Sequence, residues 1–197
     1  MLQVVQNFKT GRVSVEDVPR PLVKPGCLLV RNLASLISTG TEGSTVRLGK
    51  KSLLGKARAR PEQAVKVVKA VRAEGVVATI KTVSRTLDLP IPLGYSCAGV
   101  VEQVGEGITD VEPGDLVACG GGGMAQHASF VVVPRNLGAP IPDGVDVAHA
   151  AFTTLGAIAM QSVRIADVSL GENVVVIGLG LVGLLTVEVL TAAGCRV

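Results

Sequence analysis

The chain has 197 residues, 48% of them hydrophobic and 18% charged, with a mean hydropathy of +0.49. That size and composition suit one large or two small domains with a real core and exclude intrinsic disorder. One Tyr, three Phe and no Trp leave too few rings for a single-stranded nucleic-acid platform, and the net charge of +3 hides an uneven distribution.

In chain order, the first third reads as β. Leu2 to Val5 and Val13 to Val18 are short strand-like runs around the turn Lys9-Thr10-Gly11-Arg12. Pro21, Pro25 and Gly26 lead into Cys27–Ser38, a longer, partly alternating run that Thr39-Gly40-Thr41-Glu42-Gly43 breaks. Gly43 to Pro90 then carries 11 Lys/Arg against 3 Asp/Glu, a local +8, while the rest of the chain carries 8 against 13, or −5. This stretch is read as a distinct helical unit. Pro61 suits a first helical position, and Ala64, Val65, Val68 and Val71 recur at helical spacing up to Gly75. A second helix places Val76, Val77, Ile80, Val83 and Leu87 on one face and stops before Pro90-Ile91-Pro92. A solvated face and an anionic partner both fit the Lys and Arg residues on the other sides.

β patterning returns after Gly94. Ser96 to Val104 and Leu116 to Cys119 read as strands separated by turns at Gly105-Glu106-Gly107 and Pro113-Gly114-Asp115. The glycine loop Gly120 to Gly123 precedes a strand over Ala128 to Val133, and Pro134 to Asp146 reads as connector. Ala148 to Arg164 reads as a helix weakly broken at Gly156. Asn173 to Ile177 reads as a buried strand entering a glycine motif and a last helix. The longest apolar run, Val174 to Leu185, has 12 residues including three glycines, short of the ~18 to 20 that a membrane span needs. No basic-then-apolar leader stands at the N-terminus, and Cys27, Cys97, Cys119 and Cys195 form no CxxC pair. A cytoplasmic, reducing location with buried thiols is therefore expected.

The clearest chemistry lies in Val174-Val175-Val176-Ile177-Gly178-Leu179-Gly180-Leu181-Val182-Gly183, an apolar strand followed by GxGxxG and a helix. The first glycine permits a tight turn, the second lets a pyrophosphate approach the backbone, and the third lets helix and strand pack closely. The helix N-terminus adds free N–H groups and the positive end of its dipole. Gly178, Leu179, Gly180, Leu181, Val182 and Gly183 are thus the expected dinucleotide contacts. The acidic residue that reads the adenosine ribose is expected ~20 residues further on, past Cys195-Arg196-Val197, so NAD and NADP both stay open.

The order of parts carries a family resemblance. The phrase from Val104 to Val117, VGEGITDVEPGDLV, is followed by Gly123-Met-Ala-Gln-His-Ala128, a helix and the glycine motif. In this the chain resembles the medium-chain dehydrogenase/reductase superfamily, of the zinc-type alcohol dehydrogenase kind. The resemblance implies α+β followed by α/β: a GroES-like β-rich catalytic domain over residues 1–146, with a basic helical insertion at 43–90. A linker helix and the first βα unit of a truncated Rossmann domain follow at 147–197. More narrowly, Ala34–Glu42, Lys51–Pro61 and Pro92–Ser96 resemble the dehydrogenase half of bacterial bi-domain oxidoreductases, in which a Gfo/Idh/MocA-like module follows. The Ser38–Glu42 phrase also resembles a bacteriochlorophyllide hydroxyethyl dehydrogenase, so substrate class stays open.

In zinc-using relatives the catalytic metal takes ligands at positions that fall here on Thr39 (or Ser38), Tyr95 and near Thr153. Hydroxyls stay protonated near neutral pH while zinc prefers thiolate, imidazole or carboxylate, and the cysteines of the structural zinc lobe are absent, so no zinc is expected. Cys97, Cys119, His127 and His149 are read as structural. The resemblance makes Thr41 the proton-relaying hydroxyl, replaces a metal ligand with Tyr95, and matches Glu42 to an acidic position behind the metal. Thr41 and Tyr95 are therefore the expected catalytic hydrogen-bond donors. The function implied is hydride transfer between a nicotinamide and a small carbonyl, alcohol or enone. A zinc-dependent alcohol or polyol dehydrogenase and a non-catalytic binding module are the alternatives. A homodimer stays open, membrane and nucleic-acid partners are not expected, and this chain alone is expected not to turn over substrate.

Overall fold

Strand-forming runs, turn glycines and helical periods sort this chain into two compact units, one of Leu2–Val18 with Thr39–Leu93, the other of Pro19–Ser38 with Gly94–Val197 and Met1. The computed structural model describes residues 1–52, 55–56, 58 and 61–197. Leu53, Leu54, Ala57, Ala59 and Arg60 lie outside the described residues. So do the side chains of Ala64, Lys66, Val68, Val77, Ile80 and Leu87, on which part of the helical-face reading rests.

In the Leu2–Val18 and Thr39–Leu93 unit, β1 (Leu2–Asn7) and β2 (Val13–Asp17) form an antiparallel hairpin in the register Val4↔Val15. Asn7 Oδ1 closes its turn by accepting from the backbone N–H groups of Lys9 (3.0 Å) and Thr10 (2.9 Å). The other edge of β1 takes β4 (Pro90–Pro92), in the register Val5↔Pro92. This segment was expected only to end a helix. Two prolines are tolerated in it because an edge strand can leave its missing N–H groups unpaired. Helix α1 (Thr41–Lys50) starts inside the phrase expected to break the pattern. Its two glycines lower its propensity, whereas Glu42 in the first turn and Arg47 and Lys50 in the last suit the helix dipole.

Helices α2 (Pro61–Glu74) and α3 (Val76–Asp88) flank Gly75 as their periods predict. Val65 and Val76, expected on their apolar faces, are instead 53% and 56% exposed. Val71 and Val83 are half-buried.

The other unit is built on a five-stranded antiparallel sheet, in the order β7-β3-β5-β6-β8. The strands are β3 (Cys27–Ser35), β5 (Ser96–Val104), β6 (Leu116–Gly120), β7 (Phe130–Pro134) and β8 (Gly138–Pro140). Period-two alternation sends Leu28, Val30, Cys97, Val101, Val117, Cys119, Val131 and Val133 into one core. The opposite face places Ala98 and Ala118 against Ala150 and Ala151. A 3-10 turn (Arg135–Leu137) and β8 occupy a stretch expected to be connector, because pairing with β6 (Val117↔Pro140) supplies order that local sequence lacks.

The expected helix over Ala148–Arg164 is two helices, α4 (Val147–Ala150) and α5 (Thr153–Ala166). The break falls at Ala151–Phe152, and Gly156 sits inside α5. The carbonyl of Ala151, which a continuous helix would bond to the N–H of Leu155, instead accepts the buried hydroxyl of Ser96 at 2.6 Å. Asp146 starts α4 by accepting from the N–H of Ala148 at 2.6 Å.

Asn173–Ile177 is not the buried strand expected. It makes one parallel bridge, Asn173↔Arg196, with hydrogen bonds from Val174 N to Arg196 O and from Arg196 N to Glu172 O, both 2.8 Å. Val175 and Ile177 are 86% and 96% exposed. A parallel strand is buried only between parallel neighbours with helices on both faces. Here α5 and the last helix, α6 (Leu181–Ala192), pack against each other, and Val175 and Ile177 face solvent. Among the described residues, no helix is long and apolar enough to cross a membrane.

Candidate functional site

The glycine turn has the geometry its three glycines predict. Gly178 has φ +99°, a conformation that a side chain disfavours, and reverses the chain. Gly180 caps α6 with extended backbone, and a Cβ there would meet nothing within 4 Å. Gly183 is pressed on the turn: a Cβ there would collide with the carbonyl oxygen of Gly178 and lie 3.0 Å from its carbonyl carbon. So Gly178 turns, Gly183 packs, and Gly180 leaves open space in front of the helix N-terminus. The N–H groups of the first turn, Leu181 to Gly183, have no carbonyl partner within the helix.

Tyr95 sits half-buried just ahead of β5, and its backbone is held on three sides. Its carbonyl accepts the N–H of Gly121 at 3.0 Å, extending the β5–β6 ladder by one pair. Next to it, Ser96 is tied to Ala151. On its other side Gly94, with φ +97°, lies against His127: a Cβ at Gly94 would stand 2.6 Å from His127 N, 2.9 Å from its Cγ and 2.9 Å from its Nδ1. His127 is buried, and its Nδ1 is joined by a 2.9 Å hydrogen bond to the hydroxyl of Ser35 at the end of β3. The Asn32 amide, on the inward face of β3, donates to the carbonyls of Gln126 (3.1 Å) and Ala128 (2.7 Å), the neighbours of His127. Sequence reasoning treated His127 and Gly94 separately. The signals were a lone histidine after a glycine loop and a glycine before the tyrosine.

Thr41, the other expected donor, is exposed at the start of α1, where its carbonyl accepts the Thr45 hydroxyl at 3.1 Å; Glu42 beside it is buried. Thr41 and Tyr95 belong to different compact units. Of the positions matching zinc ligands, Ser38 is buried, Thr39 is exposed, and the Thr153 hydroxyl donates to the carbonyl of Ala150 at 2.7 Å. Among the described residues, no three His, Cys, Asp or Glu side chains gather as a metal site would require. Cys97 and Cys119 face each other as register partners on β5 and β6. The neighbouring Cys119 thiol, then burial, push the Cys97 thiol far above its ordinary value, which keeps it protonated.

A groove of about 520 Å³ adjoins this ladder. Small residues open it, among them Gly120, Gly121, Gly138 and Ala157, with Thr154 and Gln161 supplying polar groups from α5. Gly120 approaches α5 closely, since a Cβ there would stand 2.9 Å from the Thr154 hydroxyl.

Residues 61–153 match the alcohol dehydrogenase GroES-like domain family. The chain is 29% identical over 131 residues to the (R,R)-butanediol dehydrogenase of Bacillus subtilis, an alignment covering 53% of this chain and 37% of that protein. Among solved structures, galactitol-1-phosphate dehydrogenase from Escherichia coli superposes with a TM-score of 0.71 at 20% identity, covering 99% of this chain and 54% of that one. A mycobacterial protein solved with NADPH gives a TM-score of 0.70 at 22% identity, over 100% of this chain and 51% of that one. The fold is therefore a GroES-like β-rich domain joined to the beginning of a Rossmann domain. The chain is thus similar to alcohol dehydrogenase-type oxidoreductases, in sequence over about half of its length and in fold over nearly all of it. It spans about half the length of the related structures, and less of the curated relative.

Proposed function

We propose that this chain supplies the catalytic domain (1–146) and the first βα unit (147–197) of an NAD(P)-dependent oxidoreductase acting on a small carbonyl, alcohol or enone. The geometry of Gly178, Gly180 and Gly183 carries the reading, because it combines a reversed chain, a packed helix and an open space before free N–H groups. When bound, a nicotinamide would supply or receive the hydride, at the C–O carbon of a carbonyl or alcohol or at the β-carbon of an enone. The hydroxyls of Tyr95 and Thr41 donate hydrogen bonds to the oxygen as charge develops on it. Leu179, Leu181 and Val182 line the turn that takes the pyrophosphate.

The reading is zinc-independent. The donor set at Ser38 or Thr39, Tyr95 and Thr153 consists of hydroxyls, and that of Thr153 is engaged with Ala150. Val175, Ile177 and Leu179, all more than two-thirds exposed, with an α6 whose only charge is Glu188, support further Rossmann strands covering this surface. A homodimer, a following Gfo/Idh/MocA-like module and a cytoplasmic location belong to the same reading; the four free thiols suit a reducing compartment.

The test is titration of NADH and NADPH, followed by nicotinamide fluorescence, into the protein encoded by the complete reading frame. At least one coenzyme should bind. Gly180→Val, placed where a side chain meets open space, should keep the fold and weaken binding by about tenfold or more, some 1.4 kcal/mol. No binding of either coenzyme, or an unchanged affinity in Gly180→Val, overturns the proposal.

A further inference from the structure

We infer that His127 is a positioning residue whose ring, held by Ser35 and packed on Gly94, sets the orientation of Tyr95. Three observations converge on it. Gly94 is in the left-handed region at φ +97° and has the His127 backbone N and ring atoms where its own Cβ would be. A side chain at position 94 and the present place of the ring exclude each other, so ring and turn are matched parts. The ring is itself fixed, since His127 is 8% exposed and its Nδ1 is hydrogen-bonded to Ser35. The backbone on both sides of the ring is also anchored, because the Asn32 amide takes the carbonyls of residues 126 and 128.

The consequence falls on Tyr95. Its peptide is clamped from the far side by Gly121 N–H and by the Ser96–Ala151 bond. On the Gly94 side, the backbone N and the ring of His127 are packed against the turn. Without the ring, a glycine that samples φ of either sign lets the tyrosine swing. With it, the backbone that carries the phenol keeps one conformation, which a hydrogen-bond donor to a reacting oxygen requires, since small displacements lose much of the benefit. That functional consequence rests on the proposed role of Tyr95; the positioning itself does not.

The chain reports on this directly, because Tyr95 is its single tyrosine and it has no tryptophan. The tyrosine band of the near-ultraviolet circular dichroism and the tyrosine fluorescence anisotropy therefore belong to one side chain. His127→Ala and Gly94→Ala should each lose most of that band and lower the anisotropy, while far-ultraviolet circular dichroism stays that of the parent chain. His127→Phe, which restores a ring against Gly94, should recover the band. Ser35→Ala, at an exposed position that leaves the core untouched, should lose part of it and decides the matter if His127→Ala fails to fold. A parental tyrosine band in Gly94→Ala, His127→Ala or Ser35→Ala, or no recovery in His127→Phe, overturns the inference. In a turnover assay of the complete protein, an unchanged rate for Tyr95→Phe would remove the catalytic reading of Tyr95 and leave its positioning by His127 standing.

Discussion

Ser96 and Ser162 make nearly the same hydrogen bond in very different surroundings, and a pair of alanine substitutions separates the bond from its burial. The Ser96 hydroxyl donates to Ala151 O at 2.6 Å, and the Ser162 hydroxyl to Ala159 O at 2.7 Å. Ser96 is 1% exposed and ties β5 to the break between α4 and α5, whereas Ser162 lies exposed on α5. Ser96→Ala removes a bond worth about 0.5–1.5 kcal/mol net and strands a carbonyl that water cannot reach, at about 1–3 kcal/mol more. The expected loss is about 2–3 kcal/mol, roughly a hundredfold fall in the folding equilibrium constant. Ser162→Ala leaves the Ala159 carbonyl, inside α5, its helical N–H partner and gains helix propensity, so it should stay within about 0.5 kcal/mol of the parent. Urea unfolding followed by far-ultraviolet circular dichroism, with Cm compared at constant m, measures both. If the two variants fall within about 0.5 kcal/mol of each other, burial is not what makes the Ser96 bond matter, and the account of the helix break fails with it.

Thiol chemistry provides a second expectation: Cys97 and Cys119, buried and facing each other with Cys97 held protonated, should stay unlabelled by a thiol reagent in the native state, while half-buried Cys27 reacts. Mass spectrometry of peptides after brief labelling checks it, and fast modification of Cys97 would contradict the packing. A third concerns acid. Arg135 Nε and Nη2 donate to the two oxygens of Asp110 at 3.0 and 2.8 Å, and this guanidinium holds the Asp110 carboxyl below its usual range. A depressed carboxylate stabilises the fold above its unfolded value of about 3.9, and that contribution disappears as pH falls through the lowered folded value. Asp110→Asn should therefore flatten the dependence of Cm on pH below about 4, weakly, because the pair is exposed and screened by salt. An acid limb identical to the parent's would show that the pair does not couple to folding.

Much of the fold is local in origin and so was legible residue by residue. Gly75, Gly107 and Gly114 all adopt positive φ where the sequence marks turns, because only glycine does so without strain. The β-forming runs at Cys27–Ser35 and Ser96–Val104, bounded by turn residues, announce strands. The GxGxxG spacing specifies a tight turn, which Gly178 makes at φ +99°, and a close approach, which Gly183 makes to the Gly178 carbonyl. What sequence reading missed depends on distant partners. Pro90–Pro92 is a strand only because β1, some 85 residues earlier, offers it an edge; Gly138–Pro140 is one only because β6 does. The helix breaks at Ala151 rather than at Gly156 because a serine 55 residues away takes its carbonyl. The run at Val174–Ile177 is apolar enough to be core, yet burial belongs to neighbours, and Val175 and Ile177 face solvent. Tyr95 stood out as a substitution for a metal ligand, while the clamp around it did not, because Gly94, His127 and Ser35 lie 92 residues apart at the extreme and meet only once β3 and β5 have paired. Periodicity and glycine chemistry reach a few residues along the chain, so they determined the elements; which side chains share a site followed from strand pairing across most of its length, and that the tertiary structure alone decided.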